Sequence, residues 1–500
     1  MNQIKGGAFL SYLSIIISIG VSFVYTPFML KRMGQSEYGL FSLALTIVSY
    51  LSLMDFGFGA AIVRYSGIYK NGNKNRLYNL YGLFIRMYSI IGLVCLMCGI
   101  ILFYLTPILF SNSLSQTELM KLKTIVLIII IYLSVSFPFS VFSAIITSYE
   151  KFIFLKTMNI VRSLLVPILM IPLLLLGYKS IAMTLITVGV GLLINIVNVV
   201  FCFRKLDVKF LFDKINKKLM FSILGFSILV FGKDFFERIT WSSGQFIIGA
   251  NLGTIPVAIF AIALQMKGYY ETFSKTISNL FFPRVVSLMK NSNFIQEFQL
   301  LFIKIGRIQF HLLAYILMIY LLIGEYFINI WAGKNYNSAY KMSLLIMIPY
   351  TFPLIQSLGG LFLQATGKLK IQLYIYITES VLVILFSFIL TKYIGLYGAA
   401  ISLSIGIIIS EIILANIYWK LLKIKIWEFW LEILKIMIPF TLFVILGIFI
   451  MSHFNIDSYL YIIISVCFIS IVYFIYIYFF AMNEYEKNLI SVTFKRILKK

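Results

Sequence analysis

A chain of 500 residues that is 61% hydrophobic and 12% charged, with a mean hydropathy of +0.98, excludes a water-soluble globular fold. No soluble core of this size keeps so much apolar surface from water. The net charge of +24 at pH 7 first suggests nucleic acid, but the placement of the basic residues points elsewhere.

Apolar runs of about twenty residues recur along the chain, each long enough to cross a hydrocarbon core. In lipid every backbone polar group needs an internal partner, so the runs are expected to be helices; a barrel would read as short alternating strands. In chain order about fourteen spans are expected, near 8–30, 40–66, 81–106, 123–148, 153–177, 180–203, 219–251, 256–287, 300–328, 337–365, 370–391, 396–420, 432–451 and 458–481. The first is too long for a signal peptide and lacks a small-residue cleavage site. No segment between spans is long and polar enough for a soluble domain.

The basic residues divide by loop. With the N-terminus inside, the inside loops carry Lys70, Lys74, Arg76, Arg204, Lys205, Lys209, Lys214, Lys217, Lys218, Lys420, Lys423 and Lys425, and the tail adds Lys487, Lys495, Arg496, Lys499 and Lys500. The outside loops carry fewer: Lys31, Arg32, Lys121, Lys123, Lys179, Lys334, Lys341 and Lys392. That asymmetry is the positive-inside pattern and sets both termini in the cytoplasm. Some of these charges are also expected to touch anionic lipid headgroups.

The chain repeats itself. Gly34-Gln35-Ser36-Glu37-Tyr38-Gly39-Leu40-Phe41 is echoed by Gly253-Thr254-Ile255-Pro256-Val257-Ala258-Ile259-Phe260, with Arg64 and Arg284 following at matching distances. Gly177-Tyr178-Lys179-Ser180 is echoed by Gly395-Leu396-Tyr397-Gly398 at nearly the same offset. The expected architecture is therefore an all-α polytopic membrane protein of two pseudo-symmetric seven-helix bundles, 1–218 and 219–500, around a central cavity. Two related halves are the usual build of a transporter whose substrate path lies between them.

Charges inside spans are the candidates for function, since a charge near the bilayer centre costs about 2.5–3.5 kcal/mol on insertion scales. They are Asp55; Lys156 and Arg162; Lys233, Asp234, Glu237 and Arg238; Lys267, Glu271 and Lys275; Lys304 and Arg307; Glu379; and Glu411. Lys233 to Glu237, Asp234 to Arg238 and the ladder Lys267–Glu271–Lys275 are spaced at i,i+4, so each set shares a helix face. Two readings stand: ion pairs that fix packing, or a hydrated polar wall along a path. The concentration of charge in spans seven and eight, against none between residues 8 and 30 of span one, favours the wall. Arg64, Arg86 and Arg284 fall near cytoplasmic ends of spans, as snorkelling anchors or as first contacts for an anionic headgroup that a guanidinium holds bidentately.

Several classes are excluded. There is no GxxxxGK[ST] phosphate loop. Asp55-Phe56-Gly57 matches a kinase triplet without the other kinase signatures. Cys95, Cys98, Cys202 and Cys467 all lie within expected spans and read as packing residues, and His311 and His453 are the only histidines. Neither metal nor cofactor is expected.

The stretch Leu30-Lys31-Arg32-Met33-Gly34-Gln35-Ser36-Glu37-Tyr38-Gly39-Leu40-Phe41, followed by Leu53-Met54-Asp55-Phe56-Gly57-Phe58-Gly59 and Arg64, resembles the Wzx-type polysaccharide flippases of the multidrug/oligosaccharidyl-lipid/polysaccharide exporter superfamily. The usual Leu-Gly-Pro of that family is Met33-Gly34-Gln35 here. The resemblance implies movement of an undecaprenyl-pyrophosphate-linked oligosaccharide, for O-antigen or capsule, to the outer leaflet of a bacterial plasma membrane through a cationic cavity of alternating access. It also makes the pathway's polymerase and chain-length regulator expected partners. On this view Lys267, Lys275 and Arg238 hold the charged head, and Asp55, Asp234, Glu237 and Glu271 balance the cations or bind coupling ions. Two rivals remain open: a drug or cation antiporter of the same superfamily, and a membrane oligosaccharide polymerase or glycosyltransferase.

Overall fold

The computed structural model of the chain describes residues 3–70, 74–213, 217–289, 291–451, 453 and 459–488. Lys214, Lys495, Arg496, Lys499 and Lys500, counted above among the cytoplasmic charges, lie outside the described residues, as do the side chains of Lys217 and Lys218.

Among the described residues every regular element is helical. The chain runs α1 (Gln3–Met33), α2 (Gln35–Ser52), α3 (Phe58–Tyr69), α4 (Lys74–Phe110), α5 (Gln116–Ser148), α6 (Phe152–Leu175), α7 (Ser180–Lys205), α8 (Lys217–Leu252), α9 (Thr254–Leu288) and α10 (Phe294–Trp331). There follow α11 (Asn337–Ile355), α12 (Ser357–Ala365), α13 (Leu369–Ile394), α14 (Leu396–Gly406), α15 (Ala415–Leu421), α16 (Ile426–Met451) and α17 (Tyr459–Phe480). Eleven helices among the described residues are long and apolar enough to cross a membrane, or twelve if α11 and α12 form one span bent by 45°. The expected all-α polytopic class holds, while the count of fourteen is not reached on length and apolarity. The two helices outside that set, α8 and α9, have 36 and 35 residues, and they are the ones that carry the Lys233–Arg238 charges and the Lys267–Lys275 ladder.

Three expected spans are not continuous α-helices. The second breaks at a 3₁₀ turn, Leu53–Asp55, and at two left-handed residues, Phe56 (φ 50°) and Gly57 (φ 71°), before resuming as α3. Pro349 and Pro353 precede the bend between α11 and α12, where a missing backbone N–H weakens the helix. The span 396–420 passes through a π-helical stretch, Ile407–Leu414.

The repeat is written into the backbone. Gly34 and Gly253 stand directly before α2 and α9 with φ of 82° and 87°, and Gly177 and Gly395 precede α7 and α14 with φ of 88° and 62°. Glycine enters this region without a steric penalty, so the echoed glycines mark echoed turns.

The chain divides into two compact units. The first holds residues 1–261 and 386–399. Within it α5 is the hub, packed by α2, α3, α4 and α7. Glycines allow the close approach: Gly92 and Gly99 of α4 lie against Ser134 and Ile130 of α5, and Gly191 of α7 against the Tyr132 ring. Small residues at helix contacts let backbones meet without the help of a water-driven core. The second unit holds residues 262–385 and 400–500. Its centre is α10, which packs with α11, α16 and α17, with Met318, Leu322, Ile323, Val444 and Tyr473 in the core.

Candidate substrate-binding site

In the first unit the helix break places Asp55 inside protein. Its Oδ1 accepts a 2.5 Å hydrogen bond from the Tyr88 hydroxyl of α4. The Phe56 ring leans on Phe231 of α8 with centroids 4.8 Å apart.

The α8 charges pair differently from their spacing. Lys233 joins both Asp234 (3.2 Å) and Glu237 (3.5 Å). The expected Asp234–Arg238 pair is not formed among the described residues: Lys233 lies between the two carboxylates, at i+1 and i+4, and Arg238 is exposed.

Also in the first unit, a cavity of about 180 Å³ opens between α2, α5, α6 and α7. Arg162, near the middle of α6, is the one charged residue in its lining. Phe41, Val48, Ile129 and Tyr132 form much of the wall. Among the described residues no carboxylate pairs with Arg162. Lys156 lies half-buried one and a half turns away on the same helix.

In the second unit the α9 ladder closes as its spacing requires. Lys267, 5% exposed, donates to Glu271 at 2.7 Å and sits 4.5 Å over the Tyr350 ring of α11. Lys275 pairs with the same carboxylate, and the Tyr350 hydroxyl adds a 2.9 Å hydrogen bond. Two lysines thus share one glutamate. Lys267 is covered, but the Lys275 side chain is 48% exposed.

The remaining candidates are dispersed. Arg64 is exposed beside Tyr65, and Arg86 binds the Phe212 carbonyl at 2.9 Å with its guanidinium over the Phe212 ring. Arg284 and Lys304 line a second cavity of about 210 Å³ with Glu297. Arg307 does not join the α9 ladder. It is 4% exposed and locked to Glu486 (2.8 Å) and Glu432 (2.9 Å). Burial alone raises the Glu486 carboxyl, but the His311 ring 3.4 Å away and hydrogen bonds from Arg307 and the Asn483 N–H outweigh it and hold the group near 2. Glu379 is buried in α13, and Glu411 is half-buried in the π-helical stretch.

Sequence reasoning missed a polar knot at one end of the first unit. Glu118, in the first turn of α5, accepts from Ser36 (2.6 Å) and Thr254 (2.8 Å), while its other oxygen completes a capping box with Ser115. One turn on, Lys121 pairs with Glu37, which also takes the Ser180 hydroxyl. The turns that open α2, α7 and α9, three of the echoed anchors, therefore meet at α5. The Ser115-x-x-Glu118 pattern was legible as a helix start; the partners, distant in sequence, were not.

A family model described as "Polysaccharide biosynthesis protein" matches residues 4–289. The "Putative O-antigen transporter" of Shigella flexneri is 22% identical over 79% of this chain and 93% of its own length. The "Capsular polysaccharide biosynthesis protein CapF" of Staphylococcus aureus is 28% identical over 32% of this chain and 40% of its own. Among solved structures, the lipid II flippase MurJ in an inward closed conformation superposes with a TM-score of 0.73 at 16% identity, covering 99% of both chains. An inward-facing multidrug resistance transporter of the MATE family, MOP superfamily, gives 0.62 at 14% identity over 82% of this chain and 94% of that one.

Proposed function

We propose that this chain, which belongs to the polysaccharide biosynthesis protein family, is a transporter rather than an enzyme and moves a lipid-linked oligosaccharide across a bacterial plasma membrane. The cargo is an undecaprenyl-pyrophosphate-linked repeat unit, carried from the inner to the outer leaflet by alternating access, with both termini cytoplasmic. The fold shared with MOP-superfamily structures supports the reading.

The observation that carries it is the α9 ladder. Lys267 and Lys275 bring two cations to one face of α9, an arrangement that suits the two phosphates of a pyrophosphate. The half-exposed Lys275 meets the head first, and Glu271 keeps the cations from holding it too tightly. The glycan's hydroxyls and the pyrophosphate do not enter hydrocarbon unaided, because each unpaired polar group there costs kilocalories. The polyprenyl tail stays in lipid throughout. Arg238, Arg64, Arg86 and Arg284 serve as outer contacts along the route.

The test uses vesicles reconstituted with the full chain and a fluorescent undecaprenyl-pyrophosphate-linked oligosaccharide, with a membrane-impermeant glycosidase added outside. Protein-dependent exposure of the labelled lipid is expected, slowed about tenfold by Lys275→Ala. No exposure, together with export of lipophilic cations by the same vesicles, would replace this reading with the drug-antiporter one.

A further inference from the structure

We infer that His311 of α10 is the proton-binding element of a pH-sensitive clasp, which holds the turn after α17, residues 483–487, against the second unit. The clasp does not depend on what the protein carries. With both termini cytoplasmic, as proposed above, it answers to the pH of the cytoplasm.

Lys304, Arg307, His311 and Tyr315 follow one another at steps of three and four along α10, so they share one face. α17 and the turn beyond it pack on that face. Lys304 lies 4.5 Å over the Tyr485 ring, and Tyr315 stacks on Tyr473 and bonds to Ser470 at 2.7 Å. Arg307 binds the two oxygens of Glu486 at 2.8 and 3.0 Å. The turn also closes on itself: the Asn483 N–H bonds to the Glu486 side chain and the Glu486 N–H to the Asn483 side chain, both at 2.9 Å. One buried carboxylate thus shapes the turn and ties it to α10. From this turn the chain runs on to Lys495, Arg496, Lys499 and Lys500 with no further acidic residue.

His311 is the member of this face that is poorly provided for. Its side chain is 11% exposed, and its Nε2 lies 3.4 Å from Glu486 Oε2. Neither ring nitrogen has a hydrogen-bond partner among the described residues, which is costly for a buried polar group. A carboxylate offers about four acceptor sites, and Arg307 and Asn483 fill three of those on Glu486. A charged imidazole has the donor to take the remaining one. Histidine is also the side chain whose charge ordinarily changes between pH 5 and 8.

The surrounding charges give the sign. On α16, Glu428 is taken by Lys425, and Glu432 by Lys435 and Arg307. α17 and α12 carry no charge, and α11 carries only Lys341, near its start. α9 meets α10 at Gln309, which bonds to Ser274 on the far side of the helix from His311. In the turn itself Glu484 is exposed and Lys487 lies 5.6 Å over the Tyr478 ring. Glu486 is therefore the carboxylate that reaches the ring, and, held near 2, it stays ionised from pH 5 to 8. A proton taken up by His311 adds a second cation to Glu486 and tightens the clasp. Its loss as pH rises loosens it.

Amide hydrogen exchange of the full chain in lipid nanodiscs tests this between pH 8 and pH 5, the range in which histidine charges. The readout is protection, the ratio of intrinsic to observed exchange rate, for the amides of residues 483–487. In the wild type it is expected to rise about tenfold as the pH falls, the scale of one hydrogen bond to a charged group. His311→Gln and His311→Asn, both neutral at every pH, should flatten the profile. Glu486→Gln should flatten it as well, by removing the charge that the imidazolium meets. His453→Gln, at the other histidine, should keep the wild-type rise. Flat protection in the wild type overturns the inference. So does a rise that survives in the His311 variants, even if their protection is lower throughout, because the ring then serves packing alone.

Discussion

Thr254 donates its hydroxyl hydrogen to Glu118 across 2.8 Å, joining the turn that opens α9 to the first turn of α5, 136 residues earlier. The same carboxylate oxygen accepts from Ser36, at the start of α2. One glutamate therefore fastens both copies of the repeated turn. Nearby, Ser113 donates to the Gly249 carbonyl at 2.7 Å. The double variant Ser36→Ala/Thr254→Ala leaves the Ser115–Glu118 capping box intact and removes only the two bridging donors. It should lower thermal stability by about 2 kcal/mol, at roughly 1 kcal/mol per hydrogen bond. An unchanged melting temperature in detergent would count against the fastening role.

Gly253 has φ of 87°, and a Cβ there would lie 2.8 Å from the Ser113 carbonyl oxygen. Both the backbone and the space demand glycine. Gly253→Ala is expected to cost about 1–3 kcal/mol, whereas Gly268→Ala, where nothing lies within 4 Å, should be near neutral. Unfolding midpoints of the pair, measured side by side, check the contrast.

Tyr88→Phe keeps the ring packed against Phe58 and removes the 2.5 Å hydrogen bond to Asp55. A bond to a charged acceptor is worth about 1.5–3 kcal/mol, and its loss should loosen the break before α3. Hydrogen exchange of the amides in the first turn of α3 should quicken; exchange as slow as in the wild type would contradict the role given to this bond.

The Arg307 cluster predicts a pH dependence. Glu486 titrates near 2 in the folded chain, below the ordinary carboxylate range. A depressed folded value contributes stability that is complete above the unfolded value of about 4.3 and is lost as pH falls from there towards 2. Glu486→Gln should thus melt well below the wild type at pH 7, and the gap should narrow between pH 4 and pH 2. Arg307→Ala, which leaves the buried Glu486 carboxylate without its arginine, should cost about 3–5 kcal/mol at neutral pH.

Much of this was legible in the sequence where the signal is local. Apolar run length marked the helices, and the i,i+4 spacing of Lys267, Glu271 and Lys275 gave their pairing, because four residues is one helical turn. The echo at Gly34 and Gly253 marked a pair of left-handed turns, since few residues other than glycine enter that region. What escaped were choices settled by tertiary neighbours. Arg307 and Lys267 look alike as single charges in apolar helices. Only the approach of Glu432 and Glu486, more than a hundred residues on, makes the first a packing residue. Likewise Asp234 has both Lys233 and Arg238 within reach along α8, and spacing alone does not rank a neighbour against a partner one turn away. The helix break at Phe56 followed from no spacing at all; its visible sign was a phenylalanine held beside glycines that permit the turn.

The bond from Thr254 back to α5 also bears on how the molecule is made. A ribosome delivers Glu118 long before its second donor exists, so the opening helices must wait in the membrane with one docking position vacant until the start of α9 arrives. A fragment ending at residue 218 would carry that vacancy permanently. Its rescue by a separately expressed remainder would report whether the late-arriving turn still finds its seat.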